Sequence, residues 1–100
     1  SKVGEFKIYA QCEDGKRKLI NINPWFSSEQ RYVITYDPVA MKQAAIWINN
    51  FYKENGLCDD VAIFIDSKIS INGRDPLQFT YPEVNVIKED DYFIRDFKLE

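Results

Sequence analysis

Histidine is missing from this chain, and cysteine occurs only twice, at positions 12 and 58. Without imidazole there is no Ser-His or Cys-His nucleophile pair and no nitrogen ligand for zinc. Two cysteines alone do not complete a structural zinc site. They leave open either one disulfide or two separate thiols, because sequence does not show whether their Cα atoms lie close enough to bridge. Cys12 shares strand parity with Phe6, Ile8 and Ala10, which reads as a buried thiol. Basic residues are also in deficit, with 13 Lys and Arg against 16 Asp and Glu and a net charge of −3. A nucleic-acid binder needs a basic stripe to displace counterions from phosphates. Here Glu89-Asp90-Asp91 would repel a polyanion, so no nucleic-acid partner is expected. No apolar run approaches the roughly 20 residues that cross a bilayer.

What the chain has is aromatic and apolar mass. Hydrophobic residues make up 45% of it, and aromatics 15%, including six Tyr and seven Phe. One hundred residues are enough to bury a single core without metal or disulfide support. The chain opens at Ser1 without a Met, as an excised or processed segment would. Leu99-Glu100 has the look of a cloning scar.

Local signals are consistent along the chain. Phe6, Ile8, Ala10 and Cys12 alternate with Lys7, Tyr9 and Gln11, the period of a half-buried strand. Asp14-Gly15 supplies a tight turn, so Phe6–Cys12 and Arg17–Asn23 are expected to pair as an antiparallel hairpin. Pro24 breaks the second strand. Ser27 followed by Gln30 has the form of a capping box and predicts a short helix over Ser28–Val33, with a strand through Tyr32–Thr35 as the competing reading. Asp37 as N-cap, Pro38 at the first helical position and Gly56 as terminator frame a long helix. Its apolar stripe is Met41, Ala44, Ala45, Ile48, Phe51 and Tyr52. Ile46 and Trp47 lie off that stripe: either they widen the apolar face or Trp47 reaches a second surface, and the flank is the preferred reading.

Val61, Ile63, Ile65, Ser67, Ile69 and Ile71 alternate as a long strand buried on one face. Asn72–Pro76 is a turn and Leu77–Thr80 a short strand, while Val84, Val86 and Ile87 suggest a further edge strand. The fold expected is α+β: an antiparallel sheet of about four strands packed on one long amphipathic helix plus a short helix. Residues 1–87 are expected to form the domain, and 88–100 an acidic and aromatic tail that packs either on the parent protein or on nothing in this segment.

Few residues carry chemistry. Asp59-Asp60 and Glu89-Asp90-Asp91 read as solvated clusters, because no Gly-spaced oxygen ligands surround them. Lys16-Arg17-Lys18 is either a charged edge that discourages aggregation or a contact for acidic lipid headgroups. Trp25-Phe26 beside Pro24 is either a core plug or a partner contact. In Ser70-Ile71-Asn72-Gly73-Arg74 the Asn-Gly step sets a tight turn, and Arg74 offers several donors. The candidate binding residues are therefore Trp25, Phe26, Asn72, Gly73, Arg74 and Tyr81, with no catalytic residue, metal ligand or cofactor site.

The order of these features resembles the extracytosolic region of the vitamin K-dependent gamma-carboxylase family and its bacterial relatives, the horizontally transferred transmembrane domain proteins. The resemblance is carried by Lys2-Val3-Gly4, the hairpin Phe6–Ile22, Asn23-Pro24, Met41 through Ala45, Val61, Ser70–Arg74 and Tyr81-Pro82-Glu83-Val84-Asn85-Val86. Two family aspartates in the last motif are Tyr81 and Asn85 here. The resemblance implies a domain that caps a membrane module on its outer face and helps to bind a protein or peptide substrate. Its partners would be the transmembrane part of its own parent chain and such a substrate, close to a membrane surface. Localisation would be membrane-associated and extracytosolic, which in a bacterium is the periplasm. The chemistry, with reduced vitamin K, oxygen and carbon dioxide, belongs to the membrane-embedded part of the family and not to this segment. Two other readings stand beside it: a stand-alone α+β ligand-binding or protein-interaction module, and a small carboxylate-dependent enzyme.

Overall fold

The computed structural model describes residues 2–88 and 93–95. Four strands and two helices follow one another as β1 (Lys2–Gln11), β2 (Arg17–Leu19), α1 (Ser28–Tyr36), α2 (Pro38–Glu54), β3 (Ala62–Ile71) and β4 (Leu77–Gln78). The strands form one antiparallel sheet in the order β2-β1-β3-β4. This is the α+β layer arrangement that the alternation and the amphipathic stripe predict. No helix among the described residues is long and apolar enough to cross a membrane.

β1 and β3 are the spine, paired over the full length of both from Lys2↔Ile71 to Gln11↔Ala62. Because side chains alternate, one face carries Ile8 and Ala10 from β1 with Ile63, Ile65 and Ile69 from β3, all buried. α2 lies over that face and buries Met41, Ala44, Ala45 and Ile48 of the predicted stripe, while α1 adds Ile34. Tyr52 packs at the margin of the core, and Phe51 is half-buried in ring contact with Trp25 and Trp47 instead. β1 begins four residues earlier than the alternation suggests. Gly4 interrupts the apolar pattern for a packing reason: a Cβ there would sit 2.5 Å from Thr35 Cγ2 and 2.8 Å from Tyr36 Cε1. The end of α1 therefore rests directly on the strand backbone.

β2 ends at Leu19 rather than Asn23. The Asn21 side chain accepts the Asn23 amide at 3.1 Å, and the Ile22 carbonyl accepts the amides of Trp25 and Phe26 at 3.0 and 3.1 Å. These local turns take the groups a longer ladder would use. α1 starts as predicted, with both halves of the capping box formed: Gln30 N to Ser27 Oγ at 3.2 Å and Ser27 N to Gln30 Oε1 at 2.8 Å. It runs on to Tyr36, which removes the competing strand at Tyr32–Thr35. Asp37 then serves two helices. Its backbone amide closes α1 on Val33 O at 2.9 Å, and its carboxylate accepts the Val39 amide of α2 at 2.9 Å.

The segment holding Val84, Val86 and Ile87 is a set of turns and not an edge strand. Asn85 is the reason. Its Oδ1 accepts the amides of Ile63 at 3.1 Å and Ile87 at 3.2 Å, and the Val86 amide donates to Ile63 O at 2.8 Å. A side chain thus stands where strand backbone would. The same device appears at Thr80, whose hydroxyl accepts from Ser67 N at 2.9 Å and donates to Ile65 O at 2.7 Å. Residues 93–95 run beside 79–81, with Tyr81 N to Phe93 O at 2.7 Å and Arg95 N to Phe79 O at 2.9 Å. Phe93 is fully buried in the core, so residues 93–95 contribute to packing within this chain. Glu89-Asp90-Asp91 and Leu99-Glu100 lie outside the described residues.

Cys12 and Cys58 form a disulfide with a Cα–Cα distance of 5.8 Å, which corrects the reading of Cys12 as a buried thiol. The parity was right, since Cys12 continues the face of Ile8 and Ala10. It sits one residue past the end of β1 at the rim of the core, however, where the loop after α2 brings Cys58 alongside.

A candidate docking surface

The loop between β2 and α1 carries Trp25 and Phe26 onto the outer side of α2. Both are half-buried. Trp25 lies 5.1 Å from Trp47 and 5.1 Å from Phe51, ring centroid to centroid, and Phe26 lies 5.5 Å from Trp47 in an edge-on arrangement. Trp47 in turn stacks on Phe51 at 5.5 Å with an interplanar angle of 13°. Such ring pairs contribute about 0.5–1.5 kcal/mol beyond their buried area. They anchor the loop, and Arg31 fixes it further by donating to the Phe26 carbonyl at 2.6 Å.

Trp47 stays 41% exposed within this cluster. Its position off the helix stripe was the available signal: it reaches a second surface instead of flanking the core. Beside it the two helices diverge into an apolar groove of about 450 Å³, walled by Phe26, Val33, Ile34, Ala40, Ala44 and Trp47. Glu29, Gln30 and Gln43 form its polar rim. The Glu29 carboxyl is held below the ordinary 4.5, first by its own backbone amide and then by the hydroxyls of Ser28 and Ser27. The rim therefore carries a negative charge at neutral pH. Val33 in the groove wall is 47% exposed, and Val39, next to Ala40 of that wall in sequence, is 64% exposed.

The remaining candidates lie on other elements. Asn72 (φ 54) and Gly73 (φ 72) are both left-handed and make the β3–β4 turn, which Arg74 N closes on Ile71 O at 3.1 Å. The Ser70 hydroxyl donates to the Arg74 carbonyl. Tyr81 is exposed, with Arg95 over its ring at 5.9 Å. The structure thus joins Trp25 and Phe26 into one surface and leaves Asn72, Gly73, Arg74 and Tyr81 outside it.

Charged groups at the rim of the sheet have structural work. The Arg17 guanidinium covers the Phe64 ring at 3.8 Å and donates to Pro82 O at 3.1 Å. Glu13 Oε1 accepts the amides of Asp59 and Asp60 at 3.1 and 2.9 Å, and hydrogen bonds to backbone amides lower its pKa from the ordinary 4.5. The side chains of Asp59 and Asp60 are exposed and line none of the grooves described here. Cys12, Glu13 and Cys58 place ligand-type atoms within 4.8 Å of one another, but the two sulfurs are bonded to each other.

Fold and surface together define a small α+β domain with an apolar, aromatic groove between its two helices. The family model of the vitamin K-dependent gamma-carboxylase lumenal domain matches residues 1–97. The chain belongs to this family, and it is an extracytosolic domain of a carboxylase-like protein. No curated protein and no solved structure matches the chain.

Proposed function

We propose that this domain docks a protein segment in the α1/α2 groove, either the membrane module of its own parent or a protein or peptide substrate, and performs no chemistry itself. The observation that carries the reading is Trp47. A tryptophan 41% exposed over an apolar groove, with Val33 and Val39 exposed nearby, matches the aromatic anchors that dominate protein interfaces. The parent resembles a gamma-carboxylase or one of its horizontally transferred transmembrane domain relatives, with this domain on the outer face of the membrane, the periplasm in a bacterium.

Two experiments test it. The encoding gene is expected to carry several apolar segments of about 20 residues upstream of Ser1; a gene that opens near Ser1 without them refutes the membrane assignment. Trp47→Glu is expected to weaken association of the domain with the separately produced remainder of its parent by at least about tenfold, or 1.4 kcal/mol. Unchanged association refutes the groove as the membrane-module contact.

The reading as a ligand-binding module gains one point, because the groove volume falls in the range of small-molecule sites, about 300–1,000 Å³. It lacks convergent polar groups, since Gln30 is already committed to the α1 cap and the space between helix and sheet is filled core. Protein docking is the better supported reading.

A further inference from the structure

β1 is paired unequally on its two sides. On one side β3 accompanies all ten residues, and on the other β2 covers only Tyr9–Gln11. Backbone direction alternates along an antiparallel strand, so which residues face the uncovered side follows from the bonds present. Ser67 and Ile63 use their backbone groups toward β4 and the segment beyond it. Their partners across the ladder, Phe6 and Ala10, therefore point away from β3. Ile8 follows the same parity, and its carbonyl accepts the Ile20 amide at 2.9 Å. By that parity Gly4 and Phe6 each turn an N–H and a C=O outward. Among the described residues none of these four groups has a partner. The opening is bounded at both ends, by the Ile20 bond at Ile8 and by the Tyr36 hydroxyl, which donates to Lys2 O at 3.5 Å.

At Phe6 this edge borders a concavity. After Ile20 the segment that follows β2 pairs no further with β1, and the space left, about 330 Å³, is lined by Phe6, Ile8, Leu19, Ile20 and Ile22 among others. We infer that the outer edge of β1 at Gly4 and Phe6 is a strand-addition site for an extended peptide segment of a partner protein. Two residues spaced i, i+2, each offering a donor and an acceptor in line, are matched by extended backbone and not by a helix. The occupant would prolong the line of β2 along β1, so the interface continues a ladder already present. Its side chains must alternate. Those on the helix-facing side meet Phe6 and Ile8, whereas those on the open side meet Glu5 and Lys7, which pair with each other at 3.4 Å. An amphipathic strand, apolar inside and polar outside, fits both. This surface is separate from the aromatic groove, and its test does not depend on the docking reading above.

The experiment uses the isotopically labelled domain and the peptide acetyl-Thr-Val-Thr-Val-Thr-amide as probe, with the same peptide N-methylated at both Val as control. The result expected is saturable shifts of the Gly4 and Phe6 amide resonances, and at saturation exchange of the Phe6 amide slowed by at least about tenfold. The N-methylated peptide should do neither. Phe6→Pro deletes one outward N–H while the β3 ladder, which uses Glu5 and Lys7, is left in place; probe binding should then fall at least about tenfold. Since that variant also trims a partly buried side chain, its melting curve is recorded, and the N-methyl comparison decides the matter without it. The inference is overturned by absence of binding, by equal binding of the N-methylated peptide, or by shifts confined to the Trp25 and Trp47 indoles. Protection of Gly4 and Phe6 that rises with protein concentration alone would also overturn it, since the occupant would then be a second copy of this chain.

Discussion

Breaking the Cys12–Cys58 bond is the perturbation with the most computable effect. The bridge joins residues 46 apart in sequence, and in the chain-entropy model a closed loop of that size costs the unfolded chain about 4 kcal/mol of freedom. Unfolding entropy for a chain of this length is about 0.2 kcal/mol per degree near the midpoint. The double variant Cys12→Ser/Cys58→Ser should therefore melt about 15–20 °C below the oxidised protein. The assay is thermal unfolding followed by far-ultraviolet circular dichroism, on oxidised protein, on protein reduced with a dithiol, and on the double variant. Thiol titration under denaturing conditions should find no free thiol in the oxidised sample. Reduced protein and double variant should agree, because both lose the same constraint. A melting temperature within about 5 °C of the oxidised protein in both would refute the reasoning, showing that the unfolded chain was already restricted or that the bond strains the native rim.

Three further perturbations probe the packing. Gly4→Ala places a methyl against Thr35, whose hydroxyl is held by Arg31 O at 2.7 Å, and should cost about 1–3 kcal/mol in denaturant unfolding; a neutral result would mean that α1 slides away freely. Thr80→Val keeps shape but strips the partners of Ser67 N and Ile65 O, and should cost at least about 2 kcal/mol, whereas Thr80→Ser should recover most of it. Glu13 is depressed in the folded state, so the unfolded chain takes up its proton first on acidification. Its contribution is present above the ordinary 4.5 and is lost as pH falls through the lower folded value. Glu13→Gln should accordingly flatten the acid side of the stability profile, and an unchanged profile would show that the Asp59–Asp60 contact is not coupled to folding.

Much of this architecture was legible because its signals are local. The caps at Ser27 and Asp37, the stripe from Met41 to Tyr52 and the alternation from Val61 to Ile71 each specify one element without reference to the rest. The misreadings occur where a distant part of the chain decides. The alternation starts at Phe6, four residues into β1, and Gly4 ahead of it is the point where α1 touches the strand. Val84, Val86 and Ile87 had the spacing of a strand, but Asn85 took the ladder position with its side chain. The Asn85 amide oxygen supplies the acceptor that the Ile63 amide requires. Cys12 had the right face, yet its partner lay in a loop that only the closed fold brings near. Trp25 and Phe26 were legible as candidates, being aromatics in a connection; that Trp47 completes their surface depended on how the loop folds back over α2.

Asp37 has a consequence for the groove itself. One residue ends α1 and begins α2: the Asp37 amide donates to Val33 O and its carboxylate accepts the Val39 amide, so the two helices that wall the groove meet with no loop between them. A cleft built on such an elbow is open before anything arrives. A visitor need not order a loop or swing a helix, costs that usually reduce affinity, and its association should be fast, with selectivity residing in shape more than in closure.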